Sequence, residues 1–136
     1  MQQEEQNPCN TNRIEQDIKM RIELPIEPTA CPRPKVTKYG TYYPKKYKDF
    51  LRKAKFALAG IQPCNELQIC FVIKRPKAMK KGGRIAHTKK PDLDNLIKSV
   101  LDALPFDDKI VHSIRAFKVY AAHDEYPSII ITIPDE

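Results

Sequence analysis

The chain has 136 residues, 41% of them hydrophobic, with a formal net charge of +7 and four cysteines. That length fits one domain able to bury a real core, while the apolar runs are too short to span a bilayer and the polar first twenty residues lack the apolar segment of a signal peptide. Cys9, Cys31, Cys64 and Cys70 form no C-x-x-C pair, which argues against a zinc ribbon.

A cytoplasmic protein with reduced thiols is the resulting expectation, with Cys70, inside an apolar run, as a small core residue. Residues 1–17 are rich in Gln, Asn and Glu and are expected to form a flexible N-terminal extension, leaving 18–136 as the folded domain. Ile18 to Leu24 alternates apolar and polar residues, the pattern of a half-buried strand, and Pro25 and Pro28 end it. From Pro28 to Pro44 the prolines and a glycine argue against regular structure. Pro44 suits the first turn of a helix running to about Ala59, with Gly60 as its stop. Tyr47, Phe50, Leu51, Ala54, Ala57 and Leu58 form its apolar stripe.

Leu67 to Ile73 reads as a strand, and Lys74 to Lys90 as a mobile basic loop around Gly82-Gly83. A second helix is expected from Leu93 to Leu104, with Leu93, Ile97, Val100 and Leu104 on its apolar face. Asp94, Lys98 and Asp102 fall at i, i+4 and i+8 along an adjoining polar stripe. Ile110–Tyr120 and Ser128–Ile133 are the last strands, joined through His123 to Pro127 as a hairpin. The order implies a single α/β domain with a mixed sheet and helices packed on it.

Charge is distributed unevenly. Residues 32–90 carry 17 Lys and Arg against Asp49 and Glu66, a net of +15. Residues 91–136 carry 4 against 9 acids, a net of −5. A basic surface beside clustered acids suits phosphate attraction next to a metal site. In the run Pro91-Asp92-Leu93-Asp94-Asn95-Leu96-Ile97-Lys98, one aspartate is explained as a helix cap, since either can accept from the free backbone N–H groups. Capping does not account for both. Mg²⁺ takes about six oxygens at roughly 2.1 Å, with one or two carboxylates completed by water and substrate phosphate. Asp92, Asp94 and one acid of the Asp107-Asp108 pair supply such donors. Lys98, one turn beyond Asp94, either pairs with Asp94 in an i, i+4 contact or stabilises charge on a reacting phosphate.

The run from Pro91 to Leu104, P-D-x-D-N-L-x-K-x-x-x-D-A-L, followed by Asp107-Asp108, resembles the signature of the RusA family of Holliday junction resolvases. The resemblance extends over about residues 18–134. It implies an endodeoxyribonuclease that acts as a homodimer on four-way DNA junctions. It further implies paired nicks in recombination and repair and dependence on Mg²⁺, with Mn²⁺ accepted. On the motif, Asp92, Asp94 and Asp108 correspond to the metal-binding carboxylates and Lys98 to the essential lysine. Asp107, Asn95 and Asp102 are candidate supporting residues. Only Pro105-Phe106 separates Leu104 from Asp107, a shorter connection than the family usually has, so the third ligand depends on where that link places Asp108.

Arg33, Lys35, Lys38, Lys45 and Lys46, interleaved with Tyr39, Tyr42, Tyr43 and Tyr47, suit phosphate neutralisation and base stacking. Lys81, Arg84, Lys89 and Lys90 extend the DNA-binding candidates into the second basic stretch. His87, His112 and His123 are scattered and read as ordinary polar or core residues, His87 with a phosphate contact as its alternative. Two other readings stand beside the nuclease. One is a catalytically silent or non-junction-specific DNA- or RNA-binding module with the same fold. The other is an interaction protein whose basic face binds RNA or an acidic partner.

Overall fold

In a computed structural model, which describes residues 18–33 and 35–135, five strands form one mixed sheet. The expected extension, 1–17, lies outside the described residues. The strands of the main sheet are β1 (Ile18–Leu24), β4 (Glu66–Ile73), β5 (Ile85–Ala86), β6 (Ser113–Tyr120) and β7 (Ser128–Pro134). A separate two-stranded hairpin joins β2 (Lys35–Thr37) to β3 (Gly40–Tyr42). The helices are α1 (Lys45–Leu58) and α2 (Leu93–Ala103).

Sheet order is β1-β7-β4-β6-β5, with β4 and β6 parallel and the other neighbours antiparallel. β4 and β7 therefore lie inside the sheet. Their near-continuous apolar sequences, Leu67 to Val72 and Ile129 to Ile133, are buried on both faces. The register places Ile22, Ile131, Ile69 and Ala116 in one row, and Leu24, Ile129, Phe71 and Lys118 in the next. That face meets the helices in the main core. Cys70, Val72, Val119, Ala121 and Ile130 form a smaller cluster on the other side. Cys70 is buried as expected, and Cys31 and Cys64 are free thiols.

The α1 helix buries Tyr47, Phe50, Ala54 and Leu58, at helical spacing, and leaves Phe56 exposed. Its N-cap Pro44 makes no side-chain capping bond and no acid follows in the first turn, so burial of this stripe, rather than capping, holds the helix. The α2 helix buries Leu96, Ser99, Val100 and Ala103. Its inward face is thus centred nearer Leu96 than the expected Leu93-Ile97 stripe, and those two are partly buried at its margin. The buried Ser99 hydroxyl donates to the Leu96 carbonyl at 2.7 Å, so it carries no unmet polar group into the core.

Three further expectations change. The Pro-rich segment contains the β2–β3 hairpin, whose turn uses Gly40 at φ 124 and a Tyr39 N–H to Thr37 Oγ1 bond. β6 and β7 are not a hairpin: both flank β4, and the chain crosses from one side of it to the other. The basic loop is tied down. The Arg75 guanidinium donates to the carbonyls of Lys80, Gly83 and Ala121 at 2.6–3.1 Å, and Ile85–Ala86 pairs with β6.

Candidate active site

The acidic motif sits where the chain leaves the basic loop and enters α2. Asp92 is the N-cap residue in extended geometry, φ −73 and ψ 143, yet its side chain makes no capping bond. Its carboxylate is exposed and free to meet a ligand. Asp94 follows in the first turn, also exposed, with Oδ1 accepting from the Asn95 N–H at 2.9 Å. One turn on is Lys98, whose ammonium turns away from the expected partner Asp94 to the acid one turn later, 3.2 Å from Asp102 Oδ1. That hydrogen bond holds the Lys98 pKa above the ordinary lysine value.

Asp92, Asp94, Asn95 and Lys98 line one open cleft. The same cleft is lined by Cys31 and Arg33 from the segment after β1, by Tyr43 from the stretch before α1 and by Lys90 from the loop. The Cys31 N–H donates to the Asn95 carbonyl at 3.0 Å and fixes the segment after β1 against the helix. The approach to Asp92 is fixed from the sheet. Lys118 on β6 donates to the carbonyls of Lys89, at 2.5 Å, and Pro91, at 2.8 Å. The motif is thus held on both sides by groups from other elements.

Asp107 and Asp108 are not brought into this cleft. They follow the C-terminal end of α2, about 14 Å of helix beyond Asp94. Asp107 caps a short 3-10 turn, Asp108–Ile110, by accepting from the Lys109 N–H at 3.0 Å, and lies 3.8 Å from the Lys109 ammonium. Among the described residues no three His, Cys, Asp or Glu side chains come together as a metal set. The cleft therefore offers two carboxylates. With its short link, Asp108 lies at the far end of the helix that carries them.

The basic candidates divide. Lys38, Lys45, Lys46, Lys81, Lys89, Lys90 and Arg33 are exposed, and Lys35 opens β2. Lys38 lies over the Tyr39 ring, 5.2 Å from its centroid, at the exposed tip of the hairpin. Arg84 is committed elsewhere: its guanidinium grips Glu125 at 2.5–3.2 Å and is mostly covered. His87 is buried against Tyr120, with ring centroids 4.5 Å apart, and its Nδ1 accepts from the Lys89 N–H at 3.4 Å. Burial first, then the Lys118 charge, lower its pKa below the usual histidine value.

Sequence reasoning passed over Lys118, although a signal existed. Along β6, Ile114, Ala116 and Lys118 share one face, and a lysine breaks that apolar row. It also left open the role of Asp102, whose partner Tyr47 lies 55 residues away.

The cleft and sheet define an α/β domain that presents carboxylates and cations together, as phosphate chemistry requires. The sequence matches the family model for endodeoxyribonuclease RusA over residues 25–134, and the chain belongs to that family. It is a family of nucleases of the Holliday junction resolvase kind, generally dependent on a divalent metal. No curated protein matches the chain in sequence comparison. Among the described residues no helix is long and apolar enough to cross a membrane.

Proposed function

We propose that this chain cuts four-way DNA junctions by paired nicks, as a homodimer serving recombination and repair, and that its metal is Mg²⁺ with Mn²⁺ as a substitute. The domain is 18–136 and residues 1–17 are an extension to it. The observation that carries the reading is the single cleft shared by Asp92, Asp94 and Lys98, lined also by Arg33 and Lys90.

The donor set fits a hard divalent cation. Asp92 and Asp94 are exposed carboxylates, two residues apart, with Asp92 unused as a cap. Two carboxylates suffice for Mg²⁺, which keeps several waters and takes phosphate oxygens as well. When bound, the ion lowers the pKa of a coordinated water and offsets phosphate charge. The chain's own residues do the rest. Asp92 and Asp94 hold the ion at the helix start. Lys98 places a positive charge where the leaving oxygen gains a negative one. Arg33 and Lys90 hold flanking phosphates, and the exposed lysines of the hairpin, α1 and the loop carry the DNA arms.

The test uses synthetic four-way junctions with and without Mg²⁺. Wild type gives paired cuts across the junction. Asp94→Asn gives none and binds as tightly or more tightly, since it removes a negative charge beside the phosphate. Failure of wild type to cut with either Mg²⁺ or Mn²⁺ overturns the enzyme reading. Equal cutting of linear duplex leaves a nuclease that is not a resolvase. A non-cleaving DNA-binding module is favoured by one observation, the lack of a third convergent carboxylate among the described residues, and the same assay separates the two.

A further inference from the structure

Asp102 belongs to the polar stripe of α2 but does not line the cleft. Its carboxylate is drawn inward, with 25% of the side chain exposed against 56% for Lys98. Oδ1 accepts from the Lys98 ammonium at 3.2 Å. Oδ2 accepts from the Tyr47 hydroxyl at 2.8 Å, with the Cys31 thiol at 3.9 Å. Tyr47 is itself buried on α1, 1% exposed, and packed between Tyr43 and Phe50. Burial first, then its bonding to Cys31 and Asp102, pushes the Tyr47 pKa far up, so the phenol stays a proton donor.

An ordinary exposed i, i+4 ion pair leaves both side chains free to move. This one differs because the acid is anchored from a second helix. We propose that Asp102, held by Tyr47, is a positioning residue that fixes the Lys98 ammonium at the cleft wall. The proposal rests on the reading of Lys98 given above. Asp102 touches no substrate; it acts through Lys98. The Tyr47–Asp102–Lys98 chain thus makes the packing of α1 against α2 a determinant of catalytic geometry.

Single-turnover cleavage of a synthetic four-way junction, with enzyme in excess and saturating Mg²⁺, tests this. Binding is measured separately in Ca²⁺. Asp102→Asn keeps the shape and loses the charge. Its cleavage rate falls about tenfold or more, as displacement of a reacting group by an ångström does, while junction affinity stays within about twofold and thermal unfolding shows a folded protein. Tyr47→Phe removes one oxygen and lowers the rate less, in the same direction. In a Lys98→Ala background, adding Asp102→Asn changes the residual rate by less than about twofold, because the two act as a unit. Equal fold losses in both backgrounds would overturn the proposal, as would loss of affinity at an unchanged rate. Asp102→Asn at wild-type rate beside an inactive Lys98→Ala overturns the positioning role alone. Lys98→Ala at wild-type rate overturns the assignment of Lys98 as well.

Discussion

Glu125→Gln is a sharp test of how the basic loop is held. Glu125 accepts from Arg84 Nε at 3.1 and 3.2 Å, from Arg84 Nη2 at 2.5 Å, and from the Ala122 N–H at 3.0 Å. Both side chains are largely covered, 17% exposed for Arg84 and 25% for Glu125. Glutamine keeps the shape but turns an amide N–H₂ toward a guanidinium that can only donate. A hydrogen bond to a charged group contributes about 1.5–3 kcal/mol, and partial exposure sets the loss here near 2 kcal/mol. For a domain of this size that lowers the unfolding midpoint by roughly 6–8 °C at neutral pH. Burial alone would raise the Glu125 pKa, but the Arg84 hydrogen bond, the Ala122 N–H and the Arg84 charge together lower it. A depressed folded pKa contributes stability above the ordinary carboxylate range, about 4.3, and loses it as pH falls through the folded value. Glutamine does not titrate, so the gap between wild type and variant narrows as pH is taken from 7 into acid, below the ordinary carboxylate range. Thermal unfolding followed by circular dichroism at neutral and at acid pH measures both effects. Equal midpoints at pH 7, or a gap that persists unchanged in acid, would refute the reasoning.

Other outcomes follow from the same structure. Lys118→Met frees the carbonyls of Lys89 and Pro91 from their shared donor and slows junction cleavage more than it weakens junction binding, as single-turnover rates and gel-shift titrations will reveal. Lys81→Ala, at an exposed loop position, weakens binding of all DNA sequences alike and makes the slope of log K against log salt shallower by about one. Ile131→Ala, at a fully buried site on β7, lowers stability by about 2–5 kcal/mol in urea titration. Chelation of divalent cations abolishes cleavage and leaves a junction complex that filter binding still detects.

Much of the fold was legible because its signals are local. The alternation of Ile18–Leu24, the stripe from Tyr47 to Leu58 and the apolar run of β7 each declare an element without help from elsewhere. Strand pairing is not local. Nothing between Tyr120 and Ser128 says that β4, some fifty residues earlier, will come between the two last strands. The β2–β3 hairpin escaped because its strands are three residues each, and proline content outweighed the turn signal at Gly40. The same division holds at the cleft. Asp92, Asp94 and Lys98 share one helix end, so spacing alone gathers them. Tyr47 and Lys118 reach the motif from other elements, and only tertiary structure joins them to it.

The place of β7 bears on how the chain is made. Among the described residues β1 pairs in the sheet with β7 alone, more than a hundred residues later in the chain. Until β7 is made, the edge of β1 that it covers and one edge of β4 wait without it. Closing a pairing over more than a hundred residues is entropically slow, and the waiting edges are the kind that aggregate.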